Sequence, residues 1–267
     1  MGGELGAVGR GPTAVERVGR AGTRRRRQGA PGAHGQRAAR RGPRRLLLLV
    51  VLAVMLVALV YASLSVYMAA TLTRVSRQAP GTDPRALGLQ VEDVAFRSQE
   101  DGLTLRGWFL PAPNPAGGPP VDRLIVVVHG RNGVRDDASI GLLPIARALL
   151  GAGYNVLLFD LRGHGESEGE RYSLGWYERR DVKGALDWAE GRGFSRIGIY
   201  GFSMGGATVL LTAAEDPRPA AVAVDGAYAD LAELLAVQVP KQSGLPPVFT
   251  PGVILAVRLL YGADAGA

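Results

Sequence analysis

Residues 196–214, RIGIYGFSMGGATVLLTAA, form the segment that decides the fold. An apolar run typical of a buried strand leads directly into small and apolar residues typical of a helix. Between them stands G-x-S-x-G, formed by Gly201, Ser203 and Gly205. The two glycines let the backbone pass closely on either side of a strained turn that exposes the Ser203 hydroxyl, and Gly206 is expected to ease helix packing. The sequence therefore predicts a strand, a tight turn carrying a serine, and a helix.

Strand and helix patterns alternate on both sides of this segment. The other predicted strands are VEDVAF (91–96), LTLRGWFL (103–110), LIVVV (124–128), YNVLLFD (154–160) and AAVAVD (220–225). Apolar stripes with helical spacing lie at 142–150 and 182–189. Alternation in the first two strands predicts a hairpin with one wet face, and helical crossovers between buried strands predict parallel pairing. The fold class is therefore α/β, a mostly parallel sheet with flanking helices.

Functional groups in such sheets gather where the strands end. Four strand ends stand out: HGRNG (129–133), DLRGHGES (160–167), GFSMGG (201–206) and DG (225–226). At the third of these, the Met204 amide and the start of the helix face any negative charge that develops beside Ser203.

Through HG, DLRGHGES, GFSMGG and DGAY (225–228), the chain resembles the α/β-hydrolase superfamily over about residues 91–261. Within it, the chain is most similar to membrane-anchored bacterial serine hydrolases of the serine aminopeptidase and esterase branch. The resemblance implies that Ser203 is the nucleophile and that the backbone amides of Met204 and Arg131 form the oxyanion hole. It also implies that His129 and His164 belong to structural motifs rather than serving as a general base.

The chain departs from that family mainly in the catalytic acid and base that are expected after the serine. Its order is serine, then Asp or Glu, then histidine, whereas no histidine follows Ser203 in this sequence. Asp225, at the end of the sixth strand, is the only tenable acid, but a local turn residue is the favoured interpretation of it. In the family a seventh strand covers the sixth. Because this chain is expected to lack that seventh strand, segment 220–225 is expected to be an exposed edge of the sheet.

Two interpretations therefore remain open. In the first, the chain is a serine hydrolase of ester or amide substrates, acting on a small acyl molecule or a peptide, with a domain over 91–267 that lacks its C-terminal strands. In the second, it is a non-catalytic binding module or an inactive truncated fragment, so enzymatic activity is uncertain. The apolar part of residues 228–262, where the family carries its substrate cap, is interpreted either as an acyl or aryl pocket or as core.

A transmembrane helix is expected over residues 46–72, which contain no charged residue and exceed the roughly 20 needed to cross a bilayer. A retained signal anchor is favoured over a cleaved signal peptide, whose apolar region is only about 7–15 residues long. A buried helix of a soluble protein is the least favoured alternative. Residues 73–90, polar and containing two prolines, are interpreted as a linker.

The excess of basic over acidic residues is confined to the N-terminal tail. Residues 1–45 carry 12 arginines and two glutamates, and the rest of the chain is slightly acidic, although the whole chain has a net charge of +7. The tail is expected to be disordered and cytoplasmic, which places the domain outside the plasma membrane as a single-pass protein. The bilayer is thus the expected partner, and contact of the tail with nucleic acid is the less favoured alternative.

No cofactor or metal is expected. The chain has no cysteine, its three histidines (His34, His129, His164) are scattered, and no phosphate-binding glycine motif follows a strand.

Overall fold

The computed structural model describes residues 41–113 and 122–261. The chain divides between Leu52 and Ala53 into two units, and this division falls within the first helix, α1 (Arg41–Leu72). The second unit holds the remainder of α1 and the whole sheet. The tail predicted over 1–45 lies outside the described residues as far as residue 40.

Six strands form one sheet in the order β1-β2-β4-β3-β5-β6. They are β1 (Glu92–Arg97), β2 (Thr104–Leu110), β3 (Arg123–Val128), β4 (Asn155–Phe159), β5 (Arg196–Phe202) and β6 (Ala221–Asp225). The last four are mutually parallel, and the hairpin β1–β2 joins β4 in antiparallel fashion. The predicted α/β fold class is therefore confirmed.

Helices cover both faces of the sheet. The remaining ones are α2 (Leu142–Gly151), α3 (Glu178–Gly191), α4 (Met204–Glu215), α5 (Leu231–Ser243) and α6 (Thr250–Tyr261). The apolar stripe of α2 packs in one core cluster with Trp108 and Phe202, on one face. The other five helices contribute to the larger cluster on the opposite face. Both cores form because each strand points alternate side chains to opposite sides of the sheet.

The C-terminal part of α1 packs on the domain. Ser65, Met68, Ala69 and Leu72, spaced for one helix face, are buried there, and the Tyr172 hydroxyl donates to the Leu72 carbonyl at 2.5 Å. By contrast, the large side chains from Leu46 to Val60 are exposed. The C-terminal half of α1 is therefore held on the domain by its buried face, whereas the N-terminal half exposes an apolar surface.

The segment predicted as a linker is fixed to the domain surface. The Arg77 guanidinium donates to the carbonyl oxygens of Gly165, Ser167 and Gly169, at 3.1, 2.8 and 2.6 Å. The Asp136 carboxylate also accepts from the amides of Gly81 and Thr82. Charge-assisted bonds of this kind hold a polar segment in one place.

Strand β6 is an edge of the sheet within the described residues. It pairs with β5 alone, and all five of its side chains are exposed, including Val222 at 40% and Val224 at 41%. The exposed edge predicted from the sequence is thus present in the described part of the chain.

Candidate active site

Ser203 stands at the turn where β5 ends and α4 begins. Its φ of 51° and ψ of −116° lie in a region that non-glycine residues rarely adopt, and its side chain is exposed. Two hydrogen bonds hold this conformation: the Ser203 amide donates to the Asp225 carbonyl at 2.8 Å, and the Ala207 amide donates to the Ser203 carbonyl at 3.1 Å. A strained residue persists only where its surroundings enforce it, which is common at functional sites.

The glycines around Ser203 are required by close backbone approach. A Cβ on Gly201 would overlap the backbone of Gly205, and a Cβ on Gly205 would overlap the carbonyl oxygens of Val128 and His129. A Cβ on Gly206 would lie 2.9 Å from that of Ala227. The roles predicted for the three glycines therefore have a direct steric basis.

The two backbone amides predicted to form the oxyanion hole, those of Met204 and Arg131, lie at the pocket that contains Ser203. Met204 is the first residue of α4, so its amide has no partner within the helix. The amide of Arg131 donates to no acceptor among the described residues, and both residues line the pocket that contains Ser203. Gly130, next to Arg131, approaches so closely that a Cβ there would lie 3.3 Å from the Ser203 Cβ. Two unsatisfied amides beside one hydroxyl can stabilise a developing oxyanion.

Both histidines of the described residues are engaged by the backbone. His129 Nδ1 lies 2.7 Å from the Gly130 carbonyl, and its Nε2 accepts from the Leu161 amide at 3.0 Å. His164 Nδ1 lies 2.9 Å from the Arg162 carbonyl, and its Nε2 accepts from the Asn132 amide at 3.3 Å. In each ring Nδ1 is therefore the donor and Nε2 the acceptor, which leaves no nitrogen to accept a proton from Ser203.

Burial also keeps both rings neutral. It lowers the pKa of His129 to about 3, with the neighbouring His164 as a second cause, and it lowers the pKa of His164 to about 4. A general base for chemistry near neutral pH needs a pKa closer to 7. Geometry and pKa agree with the structural role that the sequence predicted for the two histidines.

The segment DLRGHGES forms a rigid loop beside the site. The buried Asp160 carboxylate accepts from the Arg135 amide and guanidinium at 2.8 and 2.6 Å and from the Glu166 amide at 3.0 Å. The Ser167 hydroxyl donates to the Asp160 carbonyl at 2.6 Å. A cation–π contact, with the Arg135 guanidinium carbon 4.4 Å from the centre of the Trp108 ring, completes the cluster.

Asp225 contributes to the site through its backbone. Its carbonyl holds the Ser203 amide, while its side chain is exposed at the end of the edge strand. The two described histidines, His129 and His164, are bound to the backbone, so among the described residues Asp225 has no histidine to orient. Its role as catalytic acid stays a prediction.

A pocket of about 190 Å³ opens beside Ser203. It is lined by Leu72, Arg131, Leu174, Ser203, Met204, Tyr228, Leu234, Leu235, Gln238 and Gln242. One wall is thus the end of α1 and another is α5. The half-buried Tyr228 donates its hydroxyl to the Leu174 carbonyl, and its partial burial raises the pKa of that hydroxyl.

Sequence reasoning missed the wall that α1 contributes. Leu72 stood inside a uniformly apolar span, where no periodicity distinguished a buried face. Tyr228 lies at the start of the region 228–262, part of which was interpreted as a pocket or as core, and its position just after a strand end was the signal that could have placed it at the pocket.

Metal-ligand clusters are not found in the described ranges: no group of three or more His, Asp or Glu side chains there could hold an ion. What the site offers is a hydroxyl, two amides and an apolar cavity.

A parallel sheet with an antiparallel hairpin at one edge, and a serine on a strained turn into a helix, define the α/β-hydrolase fold, and the chain is a member of that superfamily. Within it, the chain belongs to the X-Pro dipeptidyl-peptidase (S15) family, which matches residues 52–244.

The chain is also similar to curated proteins and to solved structures. An uncharacterized protein of Mycobacterium tuberculosis is 34% identical over 151 residues, 55% of this chain and 50% of the relative. The quorum-quenching protein AidA of Acinetobacter baumannii is 37% identical over 109 residues, 37% of this chain and 33% of that protein. The chain spans about half the length, or less, of these curated relatives. A Pyrococcus furiosus esterase superposes with a TM-score of 0.56 at 27% identity, covering 68% of this chain and 67% of the esterase.

Proposed function

We propose that the protein is a membrane-tethered serine hydrolase that attacks acyl substrates, esters or amides, through Ser203. The observation that carries the proposal is the strained, exposed Ser203 beside two free amides at the mouth of a small, largely apolar pocket. Supporting it are the family assignment and the likeness to an esterase.

In this proposal the Ser203 Oγ attacks a carbonyl carbon, and the carbonyl oxygen becomes an oxyanion that the amides of Met204 and Arg131 bind. The apolar side chains of Leu174, Leu234 and Leu235 receive the acyl group. A pocket of about 190 Å³ suits short acyl chains.

The attack also requires a base to remove the hydroxyl proton. Among the described residues, no histidine nitrogen is available for this step, because both rings are bound to the backbone. Absence of a positioned histidine can slow turnover by roughly a millionfold. We therefore propose that this chain carries the nucleophile and oxyanion half of the site and reacts slowly unless a base is supplied.

The same observation favours a second candidate, a non-catalytic binding module that uses the pocket to hold an apolar ligand. The two candidates differ in whether the Ser203 hydroxyl is chemically competent.

The test is labelling of the full chain in detergent micelles by a fluorophosphonate, with and without added imidazole. In the labelling step the Oγ–P bond forms, the P–F bond breaks, fluoride leaves and imidazole takes the hydroxyl proton. We expect slow labelling that imidazole accelerates, no labelling of Ser203→Ala, and unchanged labelling of Ser195→Ala, a control at an exposed serine at the opposite end of β5. Rapid labelling that ignores imidazole would mean that another residue supplies the base. Failure to label even with imidazole would favour the binding module.

The membrane part of the proposal rests on α1. The stretch Gly42–Leu72 of α1 forms a single helix that is long enough and apolar enough to cross a membrane. We propose a cytoplasmic N-terminus, because residues 1–45, which precede the uncharged stretch 46–72, contain 12 arginines. The chain has no cysteine, so single cysteines can report topology. In intact cells an impermeant thiol reagent should label Ala148→Cys and spare Ala7→Cys, and the reverse pattern would invert the proposed orientation.

A further inference from the structure

The side chain of Arg131 lies at the Ser203 pocket without a negatively charged partner. It is half-buried, and its guanidinium donates from Nη2 to the Gln242 Oε1 atom at 3.4 Å. No carboxylate in the described part of the chain forms an ion pair with it. By contrast, the buried Arg135 and Arg162 are each paired with carboxylates. Because a guanidinium carries five N–H donors, Arg131 has donors left for a ligand.

Two glutamines of α5 extend this group of donors. Arginine has no acceptor, so Gln242 must turn its amide oxygen toward Arg131 and its NH2 group away. That NH2 group donates to the Gln238 Oε1 atom at 3.1 Å. The Gln238 NH2 group then has no acceptor among the residues that the structure describes. Arg131, Gln242 and Gln238 thus form a donor row, in which both amide oxygens already accept a hydrogen bond and N–H groups remain at the two ends.

The rest of the pocket lining is uncharged. Its described residues include neither Asp nor Glu, and Arg131 is the single cation among them. Leu234, Gln238 and Gln242 recur every four residues, so one face of α5 presents both apolar and donor side chains to the pocket. Such a cavity is complementary to an apolar chain that ends in one negative charge. A single guanidinium matches the charge of a carboxylate, whose two oxygens it can bind in bidentate fashion, better than that of a doubly charged phosphate monoester.

We propose that the acyl group of the substrate ends in a carboxylate, as in a monoester or monoamide of a short dicarboxylic acid, and that the donor row binds this carboxylate. The inference rests on the proposed hydrolase function and specifies its substrate class. The Arg131 amide binds the oxyanion and the guanidinium of the same residue binds the carboxylate, so the two groups of the substrate are separated by about one arginine side chain. A few methylene groups span that separation and fit a cavity of about 190 Å³.

The test compares the binding of monomethyl glutarate and of dimethyl glutarate to the full chain in detergent micelles, by calorimetry or ligand-observed NMR. The two ligands differ only in a carboxylate against a methyl ester, and Ser203→Ala in every sample prevents hydrolysis. The readout is the ratio of the two dissociation constants, because a change in folding or in pocket shape affects both ligands.

Three substitutions are compared in this background: Arg131→Met, Gln242→Glu and Arg196→Met. Each makes the net charge more negative by one unit. The control residue, Arg196, is exposed and lies at the start of β5, at the opposite end of that strand from Ser203.

We expect the monoanion to bind about tenfold more tightly than the diester, which corresponds to about 1.4 kcal/mol. Arg131→Met should bring the ratio close to one, because it removes the guanidinium. Gln242→Glu should do the same, since the new carboxylate pairs with Arg131 and repels the ligand. This isosteric change at an exposed position provides a result even if Arg131→Met does not fold. Arg196→Met should retain the ratio.

A ratio near one before any of these substitutions would overturn the inference. A ratio that survives both Arg131→Met and Gln242→Glu would also overturn it, as would an equal fall in Arg196→Met, which marks a general charge effect. Fluorophosphonate labelling of Ser203 with imidazole measures the proposed function separately. Labelling without a carboxylate preference would overturn this inference alone, whereas the expected ratios without labelling would overturn the hydrolase function and support the carboxylate site.

Discussion

The amide of Ser203 donates to the carbonyl oxygen of Asp225 at 2.8 Å, which ties the serine turn to the end of the edge strand β6. The bond uses only the backbone of Asp225. Strand β6 therefore positions the candidate nucleophile whether or not the carboxylate takes part in chemistry.

The first prediction separates the backbone of Asp225 from its side chain. Asp225→Asn keeps the carbonyl that holds Ser203 and removes the charge, so imidazole-assisted labelling of Ser203 should stay within about twofold of the parent, since surface substitutions are usually small in effect. Rates of fluorophosphonate labelling measure it. A loss of tenfold or more, with the melting temperature unchanged, would assign the carboxylate a catalytic role.

The second prediction concerns the close approach behind the turn. Gly205→Ala places a methyl group against the carbonyls of Val128 and His129, which are backbone atoms that cannot rotate away. The free energy of unfolding of this variant should be lower by about 1–3 kcal/mol or more. Labelling of Ser203 should be lost as well. The matched control is Gly191→Ala at the end of α3, where nothing lies within 4 Å of the added carbon. Thermal unfolding in detergent should show a lower midpoint for the first variant only; equal midpoints would contradict the steric role.

The third prediction is a pH dependence of stability. The folded pKa values of His129 and His164, about 3 and about 4, lie below the unfolded value near 6.5. The unfolded chain therefore binds more protons below pH 6.5. Stability from the neutral rings is complete above that pH and falls toward pH 4, by up to about 1.4 kcal/mol per pH unit and histidine.

His164→Gln isolates this effect, because glutamine retains an acceptor for the Asn132 amide but does not titrate. Between pH 6.5 and 4.5 the melting temperature of the parent should fall more steeply than that of the variant. Parallel curves for the two proteins would show that His164 does not bind a proton on unfolding, contrary to its burial.

The fourth prediction addresses self-association. An unpaired, apolar strand edge is a template for pairing with another chain, and a lysine on it blocks such pairing. Val224→Lys should raise the monomeric fraction of the purified chain in light scattering after size exclusion. Val237→Lys, on the exposed surface of α5, is the matched control and should leave that fraction unchanged. If both lysines act alike, the effect comes from net charge rather than from the strand edge.

Much of the fold could be read locally. Alternation predicted β1 and β2, and helical spacing predicted α2 and α3, because each of these elements must bury an apolar face whose spacing its own geometry sets. Continuous apolar runs predicted the buried strands β3 to β6, and a run of small and apolar residues after β5 predicted α4. Glycine at 201 and 205 around Ser203 predicted the strained turn, because only a residue without a side chain permits that approach. The structural role of His129 and His164 was implied by the resemblance of the motifs that contain them to those of the α/β-hydrolase superfamily.

Tertiary structure alone decided which parts of the chain meet. The sequence did not indicate that Leu72, in a helix apolar on every side, forms a wall of the Ser203 pocket, or that Gly252 contacts Tyr61 nearly 200 residues away. It also did not show that Arg77 fixes the predicted linker to the loop after β4. Local patterns report only which face of an element prefers burial, whereas the partner of that face is set by packing of the whole chain, since apolar burial is non-directional and becomes specific only through close contact.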